Sequence, residues 1–100
     1  MPDGMTQPLQ MPQLPEDAPA DITPDTWVDA IGLLCPLPVL RLRKRLMALP
    51  AGGVLCLLAD DPVAVIDVPH FCAEAGHELV WQGEAAAHQV YVVRRGGVAG

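Results

Sequence analysis

"GLLCPLPVLRLRKRLMAL", Gly32 to Leu49, decides how the rest of the chain is read, because it holds a turn, a thiol, two prolines and a helical repeat in one run. Val39, Leu42, Leu46 and Leu49 recur at the spacing of one apolar helix face, and Leu40 and Met47 widen that stripe. Arg41, Arg43, Lys44 and Arg45 lie mostly off it and read as a solvated face. Pro36 suits the first helical position and Pro38 the first turn, since the N–H that each lacks would have no intrahelical partner there. "LPAGG" then stops the helix.

The elements on either side follow from this helix. Before it, "TWVDAI" (Thr26 to Ile31) alternates and carries β-favouring residues, so it reads as a strand closed by a turn at Gly32. After it, "VLCLLAD" (Val54 to Asp60) is continuously apolar, as a central strand covered on at least one face requires. Pro69 is out of place deep in a regular helix, so "DDPVAVIDVPHFCAEAG" divides into a turn at 62–66 and a second helix capped by Asp67 and ended by Gly76. "HELVWQGE" and "HQVYVVRR" pair as a hairpin around "EAAA". The order β-α-β-α-β-β predicts an α+β, two-layer α/β sandwich, with one mixed four-stranded sheet and both helices on one face.

Composition sets the boundaries. Residues 1–25 hold five acids, no Lys or Arg and six of the eleven prolines, which predicts a disordered tail. A folded domain at 26–96 and a short flexible end at 97–100 complete the chain. From Thr26 onward seven acids face six bases, so the net charge of −6 belongs mostly to the tail and selects no partner by itself. The N-terminus lacks a basic region followed by an apolar one, and the longest apolar run, Val54 to Ala59, is too short to span a bilayer, so the expected compartment is the cytoplasm, with no membrane partner. Three cysteines do not form a disulfide framework, and a reducing compartment keeps them as thiols.

Cys35 then stands out. Placed at the N-cap, it faces the positive end of a helix dipole, and Arg41, Arg43 and Lys44 add screened positive potential. Both lower a thiol's pKa and favour the reactive thiolate on a rigid, accessible mount. Local physics leaves a second reading open, in which Cys35 is a small buried apolar residue. Packing is the favoured reading for Cys56, inside the apolar strand, and for Cys72, inside the second helix. His70, His77 and His88 show no zinc-site spacing. Arg94 and Arg95 close the last strand and keep an edge soluble.

Taken in order, "DAIGLLCPLPVLRLRKRL", "GGVLCLLADDP", "IDVPHFCAEAGHEL" and "YVVRR" resemble the TusA family of sulfur carriers, also called SirA-like, from Trp27 to Arg95. A bare Cys-Pro-x-Pro is a weak signal, but followed by Asp-Pro and Asp-x-Pro it is specific. The resemblance implies the fold already read, and it implies chemistry at Cys35. A thiolate there takes the terminal sulfur of a persulfide from a donor protein, a cysteine desulfurase or a rhodanese. It holds that sulfur as a persulfide and passes it to an acceptor, such as a DsrE-like protein or one of tRNA thiolation or molybdenum-cofactor assembly. Pro36 and Pro38 set the geometry, and no metal or organic cofactor is needed.

Asp61 and Asp67 match acidic positions of the family pattern and read as structural caps. Two features depart from it: Ile66 stands where relatives often carry a polar or basic residue, and Leu34 and Leu37 flank Cys35 where charged residues are frequent. They predict an apolar docking rim, joined by Arg41, Arg43 and Lys44 as further partner contacts, and a partner set distinct from the tRNA-thiolation branch. The free protein is expected to be a monomer. Selenium transfer, a non-catalytic scaffold role and RNA binding are the competing readings. The last draws on a similar architecture in the C-terminal domain of a translation initiation factor, but few aromatics and a near-neutral domain oppose direct nucleic-acid contact.

Overall fold

The computed structural model describes residues 14–85 and 87–97. Its elements are β1 (Thr26–Ala30), α1 (Leu37–Met47), β2 (Val54–Ala59), α2 (Ala64–Ala75), β3 (Glu78–Ala85) and β4 (His88–Arg94), the expected order. They form a four-stranded mixed sheet in the order β1-β2-β4-β3, with β1 parallel to β2 and β4 antiparallel to both of its neighbours. The last strand is therefore internal, which corrects the edge role read for Arg94 and Arg95. Arg94 pairs with Glu78 at 2.7 Å, and Arg95 donates to the Leu49 carbonyl.

Alternation along β2 and β4 divides the core in two. Leu55, Leu57, Ala59, Tyr91 and Val93 meet Leu42 and Leu46 of α1 and Val68 and Cys72 of α2 on the helical face. Cys56, Val90 and Val92 point to the opposite face, beside Trp27, Leu58 and Trp81. Cross-strand pairs such as Leu57 with Tyr91 and Cys56 with Val92 keep each set on its own side. Among the described residues no helix is long and apolar enough to cross a membrane.

Four further expectations are corrected. First, α1 begins one residue late: Pro36 is the N-cap, Leu37 and Pro38 open the helix, and Cys35 precedes the cap. Second, Leu40 and Met47 do not widen the buried stripe, because they lie about half exposed beside the line of Pro38, Leu42 and Leu46 that meets the sheet. Third, α2 is one helix with Pro69 inside it. Proline at that position removes the bond to the Val65 carbonyl, and Val65 is exposed, so that carbonyl can turn toward solvent. The turn expected at 62–66 is thus mostly helix, and Gly76 ends it in the left-handed conformation, φ 80°.

The fourth correction concerns the tail. Residues 1–13 and 98–100 lie outside the described residues, but Leu14–Asp25 is ordered against the sheet. Helices cover only one sheet face; Leu14 and Ile22 pack on the other, against the cluster around Cys56, Val90 and Val92. Asp25 ties the segment to β2 by two bonds: its N–H donates to the Val54 carbonyl at 2.7 Å, and its carboxylate accepts from the Val54 N–H at 2.9 Å. The prolines that suggested disorder preset the turns, such as the Ala18 N–H to Pro15 carbonyl bond at 3.0 Å, and so lower the entropy lost on ordering.

Candidate functional site

The parallel strands β1 and β2 end side by side, and the loops that leave them for α1 and α2 meet above the sheet. In open sheets with parallel strands this is where ligand sites form. Gly32, at φ 86°, turns the first loop upward in a conformation that a side chain would strain. Its N–H donates to the Asp60 carboxylate at 2.9 Å. The Cys35 N–H donates to the Asp61 carboxylate at 2.7 Å, so two neighbouring acids of the second loop hold the backbone of the first. The Cys35–Pro36 peptide is cis.

Asp61 is 5% exposed, the one buried acidic side chain among the described residues. Its second oxygen accepts from the Val63 N–H at 3.4 Å, a weak remnant of the capping role read from the sequence; the short bond goes to Cys35. Its backbone carbonyl accepts from Gln89 Nε2 at 3.0 Å, and the Tyr91 hydroxyl donates to Gln89 Oε1 at 2.6 Å. Burial, then the charges of Asp61 and Glu84, push the Tyr91 hydroxyl up to about 12, so it stays a donor. Gln89 and Tyr91 were missed by sequence reasoning. The available signal was a lone tyrosine in an apolar strand, since a buried hydroxyl needs a partner.

Asp67 does not cap a helix either. In the first turn of α2, its carboxylate accepts a hydrogen bond from Cys35 Sγ at 3.0 Å. This reverses the expected electrostatics of the thiol. The hydrogen bond to Asp67 is the main reason the Cys35 pKa lies above the ordinary thiol value, followed by desolvation and the charges of Asp67 and Asp61. The bases of α1 do not offset them: Arg41 donates to the Asp29 carbonyl at 3.1 Å and Arg45 to the Thr26 hydroxyl at 3.2 Å. Arg43 lies farther along, lining a groove with Phe71 and His77.

Cys35 is nonetheless the accessible thiol. Cys56 and Cys72 are buried, which pushes their thiols up to about 12 and about 11. Apolar side chains on the two loops and the helix starts rim the site: Leu34 is 68% exposed and Ile66 70%, with Leu37 and Val63 more than a third exposed. From Leu37 a shallow groove of about 450 Å³ continues along α1, lined by Leu33, Leu40, Arg41, Lys44 and Arg45. Among the described residues no three His, Cys, Asp or Glu side chains gather to hold a metal ion. The arrangement suits thiol exchange with a protein surface, because it offers an exposed sulfur within an apolar rim.

Residues 27–95 match the family model described as Sulfurtransferase TusA. The sulfur carrier protein TusA of Pseudomonas putida (strain W619) is 45% identical over 75 residues, spanning 75% of this chain and 94% of that one. Its counterpart from Pseudomonas fluorescens (strain SBW25) is 43% identical over 84 residues, 84% of this chain and 96% of the other. The crystal structure of the SirA-like protein from Desulfitobacterium hafniense shares the fold with a TM-score of 0.63 at 26% identity, over 71% of this chain and 97% of that one. The family match begins at the strand before Cys35, ends beyond β4 and takes in both loops of the site, and the chain accordingly belongs to the TusA family of sulfur carriers.

Proposed function

We propose that Cys35 carries the sulfur. Its thiolate attacks the terminal sulfur of a donor protein's persulfide; a sulfur–sulfur bond forms to Cys35, the donor's own breaks, and the donor leaves as a thiolate. An acceptor thiol then attacks the outer sulfur and frees Cys35. No net oxidation occurs, and no cofactor takes part. A cysteine desulfurase or rhodanese fits the donor role, and a DsrE-like or molybdenum-cofactor protein fits the acceptor role. The reading places the carrier in the cytoplasm, as a monomer between encounters, where thiols stay reduced.

The observation that carries this reading is the contrast among the three thiols: Cys35 is exposed on the family motif, while Cys56 and Cys72 are packed in the core. The test is intact-protein mass spectrometry after incubation with a persulfide donor and no reductant. The expected result is a gain of one sulfur, about 32 Da, that maps to the Cys35 peptide and is lost on adding a thiol. No gain from any donor would remove the reading.

The exposed rim around Cys35 supports partner docking through apolar contact. Replacing Leu37 by Glu is expected to slow loading from a persulfidated cysteine desulfurase by about tenfold, as loss of one central apolar contact does. Loading from inorganic polysulfide, which needs no docking, should be unchanged. Equal rates with the protein donor would exclude Leu37 from the contact.

A further inference from the structure

A carrier whose thiol is held protonated presents a problem of timing, because the thiolate is the attacking species. The charged groups around Cys35 show where the hold comes from. From α2, the Asp67 carboxylate accepts a hydrogen bond from the thiol; from the second loop, Asp61 and Asp60 accept from backbone N–H groups; from β1, Asp29 accepts from the Ile31 N–H; from α1, Arg41 is turned to the Asp29 carbonyl. Among the described residues no Lys or Arg pairs with Asp67. Asp67 is only partly buried, beside the exposed rim residues Leu34, Leu37 and Ile66, so a docked protein can reach it.

Resting on the carrier reading, we propose that Asp67 is a charge latch on Cys35: its carboxylate holds the free carrier's thiol at 3.0 Å in the protonated form, and a cationic side chain of the docked donor releases it by pairing with that carboxylate. On release the thiol proton passes to water and the thiolate attacks as described above. Stray oxidants and electrophiles then meet mainly the thiol, whereas a cationic donor meets the thiolate. Once loaded, the persulfide anion has no proton to offer Asp67.

Two measurements on the whole protein test the latch. The first is the pH profile of Cys35 alkylation by iodoacetamide. In Asp67→Asn the midpoint should fall, and the rate at neutral pH should rise about three- to fourfold for each unit of that fall, because a less basic thiolate is also a weaker nucleophile, while Asp67→Glu stays near wild type. The second compares persulfides of the tripeptides Arg-Cys-Arg and Glu-Cys-Glu as donors at low salt. Wild type should prefer the arginine peptide severalfold, and Asp67→Asn should lose most of that preference. Identical alkylation midpoints in wild type and Asp67→Asn would overturn the latch, and an unchanged peptide preference would overturn release by a cation. If Cys35 accepts no sulfur at all, the carrier reading fails in the second assay while alkylation still reports on the hydrogen bond.

Discussion

Cys35→Ser protein is expected to remain at its unmodified mass under conditions in which the wild type gains about 32 Da. Serine keeps a hydroxyl donor near the sulfur position, so the Asp67 carboxylate retains a partner, and the backbone N–H still donates to Asp61. Stability should therefore change little, as for other surface substitutions. Uptake, by contrast, should fall to background, because an alcohol at neutral pH does not attack a persulfide sulfur. The other thiols cannot substitute. Cys56 lies between the Trp27 and Val92 side of the sheet and the packed tail, and Cys72 lies on the buried face of α2; both are almost fully protonated at any working pH. Uptake by the serine protein equal to wild type would mean that sulfur resides elsewhere, and the proposed function would fall.

How much of this site could be read from the sequence depended on separation along the chain. The thiol, its prolines and the apolar residues beside it lie within one short run, so their geometry was legible within one residue. The element order was legible for the same reason: each helix or strand writes its period locally. Asp67 is 32 residues from Cys35, and only folding brings them together. The dipole and basic residues of α1 therefore suggested a lowered thiol pKa, when a carboxylate from the other helix sets the opposite sign. Pro69 hid that helix's true start and so made Asp67 look like its cap. The packed tail was illegible for a related reason. Its composition favours disorder when taken alone, but the sheet offers an uncovered apolar face to which Leu14 and Ile22 can contribute.

Leu42→Ala should be strongly destabilising, and it separates two leucines that look alike in the sequence. Leu42 is fully buried in the middle of α1, in the cluster with Val28, Leu55, Leu57 and Tyr91. Truncation removes apolar burial and leaves a cavity that strands on one side and a helix on the other cannot close, a loss of about 2–5 kcal/mol. For a domain of this size the whole stability is of order 5–15 kcal/mol, and each kcal/mol lost lowers the melting temperature by about 4–8 °C, so the drop should be about 8–40 °C. Leu40, two residues earlier, is half exposed along the groove that runs from Leu37, and Leu40→Ala should cost about 0.5 kcal/mol or less. Thermal denaturation of the two proteins provides the check, and equal losses would show that α1 does not seat on the sheet as described. The helix ties to function through its start: Pro38 is buried with Leu42 on the same face, and Cys35 immediately precedes the Pro36 cap. Leu42→Ala protein should consequently show Cys35 alkylation rising steeply near its lowered melting point, as the sulfur escapes Asp67 when α1 lifts from the sheet.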